Sequence, residues 1–180
     1  MANTVRVIGG DLRGRTLRFP DLEGLRPTPD RVRETLFNWL GQRLDGSACL
    51  DLFTGSAALA FEAVSRGATC VDAVDVNEKA CASAQENCRK AEVANMTVTC
   101  SEATDFLRQN KKIFDVVFLD PPFAENTLME AVLAVLPRHL SNGCRIYVES
   151  AQSIEVPQDF KPLRIAKAGR VHFALWEFQR

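Results

Sequence analysis

The sequence lacks the features typical of membrane, secreted or metal-stabilised proteins. No apolar run approaches the ~18 residues needed to span a bilayer, and the first residues contain no apolar stretch typical of a secretory signal. We therefore expect a cytoplasmic protein that does not bind a membrane. The chain has only two histidines, and none of its six cysteines forms a Cys-x-x-Cys pair. We expect reduced, buried cysteines and no metal.

The charges are distributed unevenly along the 180 residues. The net charge of −1 combines +3 over residues 1–33, +4 over residues 161–180 and −8 between them. Basic termini on an acidic body are compatible with a surface that binds a polyanion, but also with ordinary solvated surface. Charge alone leaves both interpretations open.

Short apolar segments alternate with segments of helical periodicity from Ala48 onward, which predicts an α/β fold with a mostly parallel sheet. The predicted strands are short and apolar, as expected for strands covered on both faces. They are Ala48–Phe53, Thr69–Asp75, Met96–Cys100, Phe114–Asp120 and Arg145–Glu149.

The segments between these strands predict four helices. They are Ala57–Arg66, a helix capped by Asn77 that runs to about Ala91, a helix capped by Ser101, and Asn126–Leu136, which Pro137 ends. After them, Pro162–Lys167 and Val171–Phe178 predict an antiparallel hairpin. Its second strand is apolar on both faces and is therefore expected inside the sheet.

The first 43 residues predict a small appendage, and residues 44–180 the main domain. Val5–Ile8 and Arg15–Phe19 flank glycines and predict a hairpin. A helix follows, for which Thr28 is the expected N-cap and Pro29 the first helical residue.

The polar residues expected to bind a ligand follow the predicted strands. Gly55 lies in the turn between the first strand and its helix, and Asp75 ends the second strand twenty residues later. Ligands of open parallel sheets bind beyond the carboxyl ends of strands, and an acid at this spacing can accept hydrogen bonds from ribose hydroxyls. The pattern predicts a cofactor that contains adenosine. Ala57 stands where a dinucleotide fingerprint has its second glycine, which disfavours a nicotinamide cofactor.

The fourth strand runs into Asp120-Pro121-Pro122-Phe123. The two prolines lack N–H donors, so the Asp120 carboxylate and the Pro121 carbonyl remain as acceptors for an amino group. Phe123 provides a flat apolar face on which a base can stack.

Together these residues resemble a known family. Asp-Pro-Pro-Phe after the fourth strand and Asp-x-Phe-x-Gly-Ser after the first resemble S-adenosylmethionine-dependent methyltransferases that act on exocyclic amino groups. The runs Arg6–Gly10, Arg13–Arg15 and Leu25–Leu40 resemble, more narrowly, the bacterial 16S ribosomal RNA guanine-N2 methyltransferase family, over about Val5 to Phe178. The resemblance implies a Rossmann-like class I methyltransferase domain, S-adenosylmethionine as cofactor and S-adenosylhomocysteine as product.

The resemblance also implies roles for individual residues. The cofactor-binding residues would be Asp51, Phe53, Gly55, Ser56, Asp75, Glu102 and Ala103, and the catalytic loop Asp120, Pro121, Pro122 and Phe123. The arginines of the basic N-terminal segment are candidates for RNA phosphate contacts: Arg6, Arg13, Arg15, Arg26, Arg31 and Arg33. Each could instead pair within the protein, for instance with Asp30 or Glu34. The expected partner is 16S rRNA in a small ribosomal subunit or its assembly intermediate, and the enzyme is expected to be a monomer.

Two other functions remain open at this point. The same cofactor site could serve methylation of adenine N6 in DNA or of a protein amide, since those enzymes share the Asp-Pro-Pro-Phe type of motif. Ala57 and Glu102 depart from the family pattern, which is compatible with a non-catalytic RNA-binding assembly factor.

Overall fold

The computed structural model describes residues 3–23, 25, 27–122, 126–151, 155–169 and 171–180. The strands are, in chain order, β1 (Asn3–Arg6), β2 (Thr16–Phe19), β3 (Ala48–Asp51), β4 (Cys70–Asp75), β5 (Met96–Cys100), β6 (Phe114–Leu119), β7 (Leu140–Ser150), β8 (Phe160–Ala168) and β9 (Val171–Phe178). The helices are α1 (Asp30–Trp39), α2 (Ala58–Ser65), α3 (Glu78–Ala91), α4 (Ala103–Gln109) and α5 (Asn126–Val135), the last followed by a short 3-10 helix, Leu136–His139.

A seven-stranded sheet forms the body, in the order β5-β4-β3-β6-β7-β9-β8. The five strands from β5 to β7 are parallel, while β9 pairs antiparallel with both β7 and β8. This confirms the predicted α/β fold and the position of the last strand inside the sheet. The strand order reverses between β3 and β6, which is where open α/β sheets form a crevice for a ligand.

Most of the predicted elements are present, with changes at their ends. Asn77 caps α3 as expected, because its Oδ1 accepts the N–H groups of Lys79 at 3.0 Å and Ala80 at 3.2 Å. The predicted cap at Ser101 is wrong: α4 has Glu102 at its N-cap position, and the Ser101 hydroxyl donates to the Glu102 carbonyl. In the described part of the chain, no helix has the length and apolar character to cross a membrane.

The first two strands form a separate antiparallel hairpin that packs against the body. The Asn87 side chain on α3 accepts the Arg18 N–H at 3.1 Å and donates to the Arg18 carbonyl at 2.8 Å. At the hairpin turn, Gly10 has a φ of +73°, and a Cβ there would lie 1.8 Å from the Ser65 carbonyl oxygen on α2. The appendage therefore sits tightly on the body and shares an apolar core with it.

The start of α1 differs from the prediction. Pro29, at φ −55° and ψ 145°, is itself the N-cap residue, and the helix begins at Asp30 without a side-chain cap. Thr28 is thus one residue too early to cap the helix. Its hydroxyl donates instead to Asp120 at 3.3 Å.

Candidate active site

A cavity of about 610 Å³ lies at the carboxyl ends of β3, β4 and β6. Its walls come from the turn after β3, the ends of β4 and β7, the start of α4 and the loop after β6. The segment that precedes α1 closes another side. The volume falls within the range of ~300–1,000 Å³ typical of small-molecule sites.

Asp51 anchors the turn between β3 and α2. One oxygen of its buried carboxyl accepts the Thr54 hydroxyl at 2.9 Å and the Ala60 N–H at 3.2 Å. Burial raises the pKa of Asp51 to about 7; these hydrogen bonds oppose the rise, and the nearby Asp75 charge adds to it. The carboxyl that shapes the turn is therefore also close to its protonation midpoint at neutral pH.

The turn itself uses two residues with left-handed backbone conformation. Gly55 has a φ of +48° and Ala57 a φ of 61°. For Ala57 this conformation costs roughly 1–2 kcal/mol, since its Cβ crowds the backbone. The Gly55 N–H points to Asp75, with 2.8 Å between the amide nitrogen and Oδ2. The turn and the end of β4 are in this way joined across the sheet.

Asp75 presents an ordered carboxylate at the cavity wall. Its second oxygen accepts the Asn77 N–H at 2.8 Å, so each oxygen receives one of these backbone donors. A carboxylate oxygen can accept a second bond, which leaves acceptors for a pair of hydroxyls. The next residue, Val76, also lines the cavity and is 60% exposed. This corner offers hydroxyl acceptors beside an uncovered apolar surface.

Asp120 follows β6 and lines the cavity beside the segment before α1, whose Thr28 donates to its Oδ2. Burial raises the pKa of Asp120 well above its usual range, and the charges of Glu149 and Asp51 raise it further. The Thr28 hydrogen bond opposes this shift. Pro121 and Pro122 continue the cavity wall. The arrangement favours the protonated form of the Asp120 carboxyl group.

Glu149 lies at the site but was not predicted from the sequence as a site residue. It is the penultimate residue of β7, lines the cavity, and accepts the Tyr147 hydroxyl at 2.7 Å. Burial raises the pKa of Glu149, while the Tyr147 hydrogen bond lowers it. The sequence feature that could have identified Glu149 is its position near the carboxyl end of the strand next to β6, since the ends of neighbouring parallel strands meet at one edge of the sheet.

Most of the site residues expected from the sequence lie around this one cavity. Those that line it are Asp51, Phe53, Gly55, Ser56, Asp75, Glu102, Ala103, Asp120, Pro121 and Pro122. Phe123 lies outside the described residues. Strands far apart in the sequence thus bring their functional ends to one place.

The arginines expected to contact RNA fall into different environments. Arg6, Arg13, Arg15 and Arg31 are exposed, and Arg26 lies outside the described residues. Arg33 is fully buried, so the expectation that it contacts RNA is wrong. Its guanidinium pairs with Glu62 at 2.9 Å and with Asp30 at 2.6 Å, and no surface is left for a phosphate.

Glu62 is the centre of a buried polar network between the appendage and α2. Its carboxylate accepts the Ile8 N–H at 2.6 Å and ion-pairs with Arg33 and Arg66. Arg33 also donates to the Arg6 carbonyl at 2.9 Å and to the Thr28 carbonyl at 3.1 Å. Buried charges of this kind persist only when they are paired, and removing one partner is strongly destabilising. The network fixes the appendage against the helix that begins at the cavity.

Comparison with known proteins gives consistent matches over nearly the whole chain. The family described as "Conserved hypothetical protein 95" matches residues 5–177. The protein named Ribosomal RNA small subunit methyltransferase D from Escherichia coli (strain K12) is 38% identical over 179 residues, covering 96% of this chain and 89% of its own. The protein of the same name from Haemophilus influenzae is 38% identical over 180 residues, covering 96% and 93%.

Solved structures agree with these matches. One from Escherichia coli, 38% identical, superposes with a TM-score of 0.89 over 98% of this chain and 99% of that chain. A 16S rRNA N2 methyltransferase from Thermus thermophilus, in complex with AdoMet and guanosine, has a TM-score of 0.73 at 19% identity, over 100% of this chain and 50% of that one. At that identity the likeness establishes the fold alone, a class I methyltransferase fold.

Proposed function

The chain belongs to the ribosomal RNA small subunit methyltransferase D family, and on that premise we propose that it transfers a methyl group from S-adenosylmethionine to the N2 amine of a guanine in 16S ribosomal RNA. The observation that carries the proposal is that Asp120 and Pro121 line the same cavity as Gly55 and Asp75. A cofactor site and an acceptor for an amino group therefore lie within one small space.

The residues around the turn fit S-adenosylmethionine. Asp75 would accept the ribose hydroxyls, Val76 would pack against the adenine, and Glu102 and Ala103 would border its edge. Asp51, Phe53 and Ser56 would lie along the methionine part. The cofactor supplies an electrophilic methyl group on a positively charged sulfur.

The loop after β6 fits the acceptor. The N2 lone pair of guanine is delocalised into the ring, so the amine is a poor nucleophile until it is oriented. The Asp120 carboxylate and the Pro121 carbonyl would each accept one N–H, which draws the nitrogen toward tetrahedral geometry and aims its lone pair. Orientation of this kind can lower a barrier by roughly 7–11 kcal/mol.

The carboxyl of Asp120 would also receive the proton that the amine loses. As the N–C bond formed, the S–CH₃ bond would break and leave the uncharged thioether of S-adenosylhomocysteine. The nitrogen would become positively charged, and one N–H proton would pass to the Asp120 carboxylate that accepts it. A carboxylate whose pKa is raised binds a proton more strongly and is a better general base. Burial and the charges of Glu149 and Asp51 raise the pKa of Asp120, which supports this role.

The substrate would be a guanine that is unpaired or flipped out, because an amine within an A-form helix cannot reach the loop. The exposed arginines of the appendage would hold the surrounding phosphates. The acceptor would be 16S rRNA within the small subunit or its assembly intermediate, in the cytoplasm. A monomer is sufficient for this arrangement, because one chain contains both halves of the cavity.

The test is methyl transfer from labelled S-adenosylmethionine to 16S rRNA and to small subunits that lack the modification. We expect N2-methylguanosine in the nucleoside digest, identified by mass spectrometry. N6-methyladenine in DNA or a methylated protein amide would redirect the proposal to another acceptor. Binding of the cofactor without transfer to any of these substrates would refute it.

A further inference from the structure

A hydroxyl of the appendage contacts the carboxyl group of the catalytic loop. Thr28 lies in the segment before α1, is 6% exposed and lines the cavity. Its Oγ1 donates to Oδ2 of Asp120 at 3.3 Å, across 92 positions of sequence. The contact is part of the cavity wall, although Thr28 belongs to the region expected to bind RNA.

The buried polar network around Glu62 also holds Thr28 in position. Arg33 donates from Nε to the Thr28 carbonyl, and its Nη1 is paired with Glu62 at 2.9 Å. Glu62 belongs to α2, the helix that begins at the cofactor turn. A continuous chain of hydrogen bonds therefore runs from α2 through Arg33 and Thr28 to Asp120.

We propose that Thr28 is a positioning residue, whose hydroxyl occupies one oxygen of Asp120 and leaves the other to accept the N–H of the substrate amine. The inference rests on the proposed function and extends it to a residue outside the methyltransferase motifs.

The surroundings of Asp120 make the contribution of Thr28 measurable. Among the described residues, the charged groups acting on the carboxyl are Glu149 from β7 and Asp51 from β3, and both favour its protonated form. The other ionisable residues of the described chain that line the cavity are Glu23, Asp75 and Glu102. A hydrogen-bond donor stabilises the carboxylate, so removing the Thr28 hydroxyl raises the pKa of Asp120.

The experiment compares Thr28→Val with Thr28→Ser in the full chain. Valine keeps the shape without the hydroxyl, and we expect kcat at pH 7 to fall by roughly tenfold, the cost of one hydrogen bond to a charged group. The acid limb of the pH–kcat profile moves to higher pH, while KM for the RNA stays unchanged. Serine restores both kcat and the profile. The matched control is Thr35→Val, since the Thr35 hydroxyl on α1 donates to the Arg31 carbonyl and not into the cavity.

A second readout separates this inference from the proposed function. The Asp120 carboxyl is followed by carbon-13 NMR as the pH is varied, in the unsubstituted chain and in Thr28→Val, with no RNA present. A higher titration midpoint in the variant supports the positioning contact, even if the chain methylates no guanine. An unchanged midpoint together with an unchanged pH–kcat profile would overturn it. A loss of kcat that serine does not rescue would also overturn it, since the shape of Thr28 would then be responsible.

Discussion

The appendage surface and the cavity differ in charge and in exposure. Four of the arginines expected to contact RNA are exposed on the appendage: Arg6, Arg13, Arg15 and Arg31. The cavity is lined by acids, and three of them have a raised pKa because they are buried: Asp51, Asp120 and Glu149. The two regions meet at the segment before α1, where Thr28 contacts Asp120.

Under the proposed function, the two regions would act through different kinds of electrostatics. Exposed arginines attract a polyanion over long range and are screened by salt, so they contribute affinity but little chemistry. Carboxyl groups in a confined cavity are poorly screened and interact with one another, so small changes there alter proton affinity. Substitutions in one region should therefore leave the function of the other nearly intact.

The largest expected effect is a loss of kcat when an acidic residue of the cavity is replaced. Asp120→Asn should lower kcat by about 10²–10³-fold, because the amide cannot take up the proton and offers N–H groups where the substrate needs acceptors. Single-turnover methyl transfer measures the loss. The matched control is Asp105→Asn on α4, an exposed acid paired with Arg108 at 3.0 Å.

The affinities of Asp120→Asn for S-adenosylmethionine and for RNA test whether the cavity and the appendage surface act independently. Isothermal titration of Asp120→Asn with S-adenosylmethionine and filter binding with RNA should give Kd values close to those of the unsubstituted chain. If RNA affinity fell together with kcat, the acidic cavity would be part of the RNA-binding surface and the two regions would not be separate.

A smaller effect is expected at the end of β4. Asp75→Ala should weaken binding of S-adenosylmethionine by roughly 10–100-fold, because the ribose acceptors are lost and two backbone N–H groups lose their partner. RNA affinity should not change, since Asp75 lies inside the cavity. Calorimetry measures the first and filter binding the second. Glu78→Ala is the control, because Glu78 is exposed three residues away and does not line the cavity; equal losses of both affinities would indicate misfolding.

The salt dependence of RNA binding tests the role of the exposed arginines of the appendage. Arg31→Ala should reduce the slope of log K against log salt by about 0.7–0.9, the contribution of one phosphate contact. Binding of S-adenosylmethionine should stay unchanged. Arg108→Ala on α4 is the control, and its slope should match that of the unsubstituted chain. An Arg31→Ala slope equal to the control would remove Arg31 from the RNA-binding surface.

Much of the cavity could be predicted from the sequence because parallel strands place their carboxyl ends at one edge. Asp75 and Asp120 end predicted strands, Asp51 lies two residues before the end of another, and all three line the cavity. Glu149 ends the predicted strand Arg145–Glu149 and obeys the same rule, but it was not predicted because it lies outside the motifs that carry the resemblance.

Arg33 and Thr28 differ in how far their environments could be predicted from the sequence. Arg33 lies three and four residues before Leu36 and Phe37, on the buried stripe of α1, so helical periodicity already indicated burial. Its partner Glu62 stands in the almost entirely apolar α2, another sign of a buried pair. The contact of Thr28 with Asp120 could not be predicted, because it depends on how the appendage packs on the body.

The smallest expected effect comes from the change in charge of Asp51 with pH. Because burial raises the pKa of Asp51 to about 7, its carboxyl passes from neutral to negative as the pH rises through that value. A negative charge favours the sulfonium of S-adenosylmethionine over the uncharged sulfur of S-adenosylhomocysteine. The ratio of the Kd for S-adenosylmethionine to the Kd for S-adenosylhomocysteine should therefore fall several-fold between about pH 6 and pH 8. Calorimetry with both ligands measures this ratio. Asp51→Asn keeps an oxygen for Thr54 and Ala60 and should flatten the ratio; a ratio equally steep in the variant would assign the effect to Asp120 or Glu149.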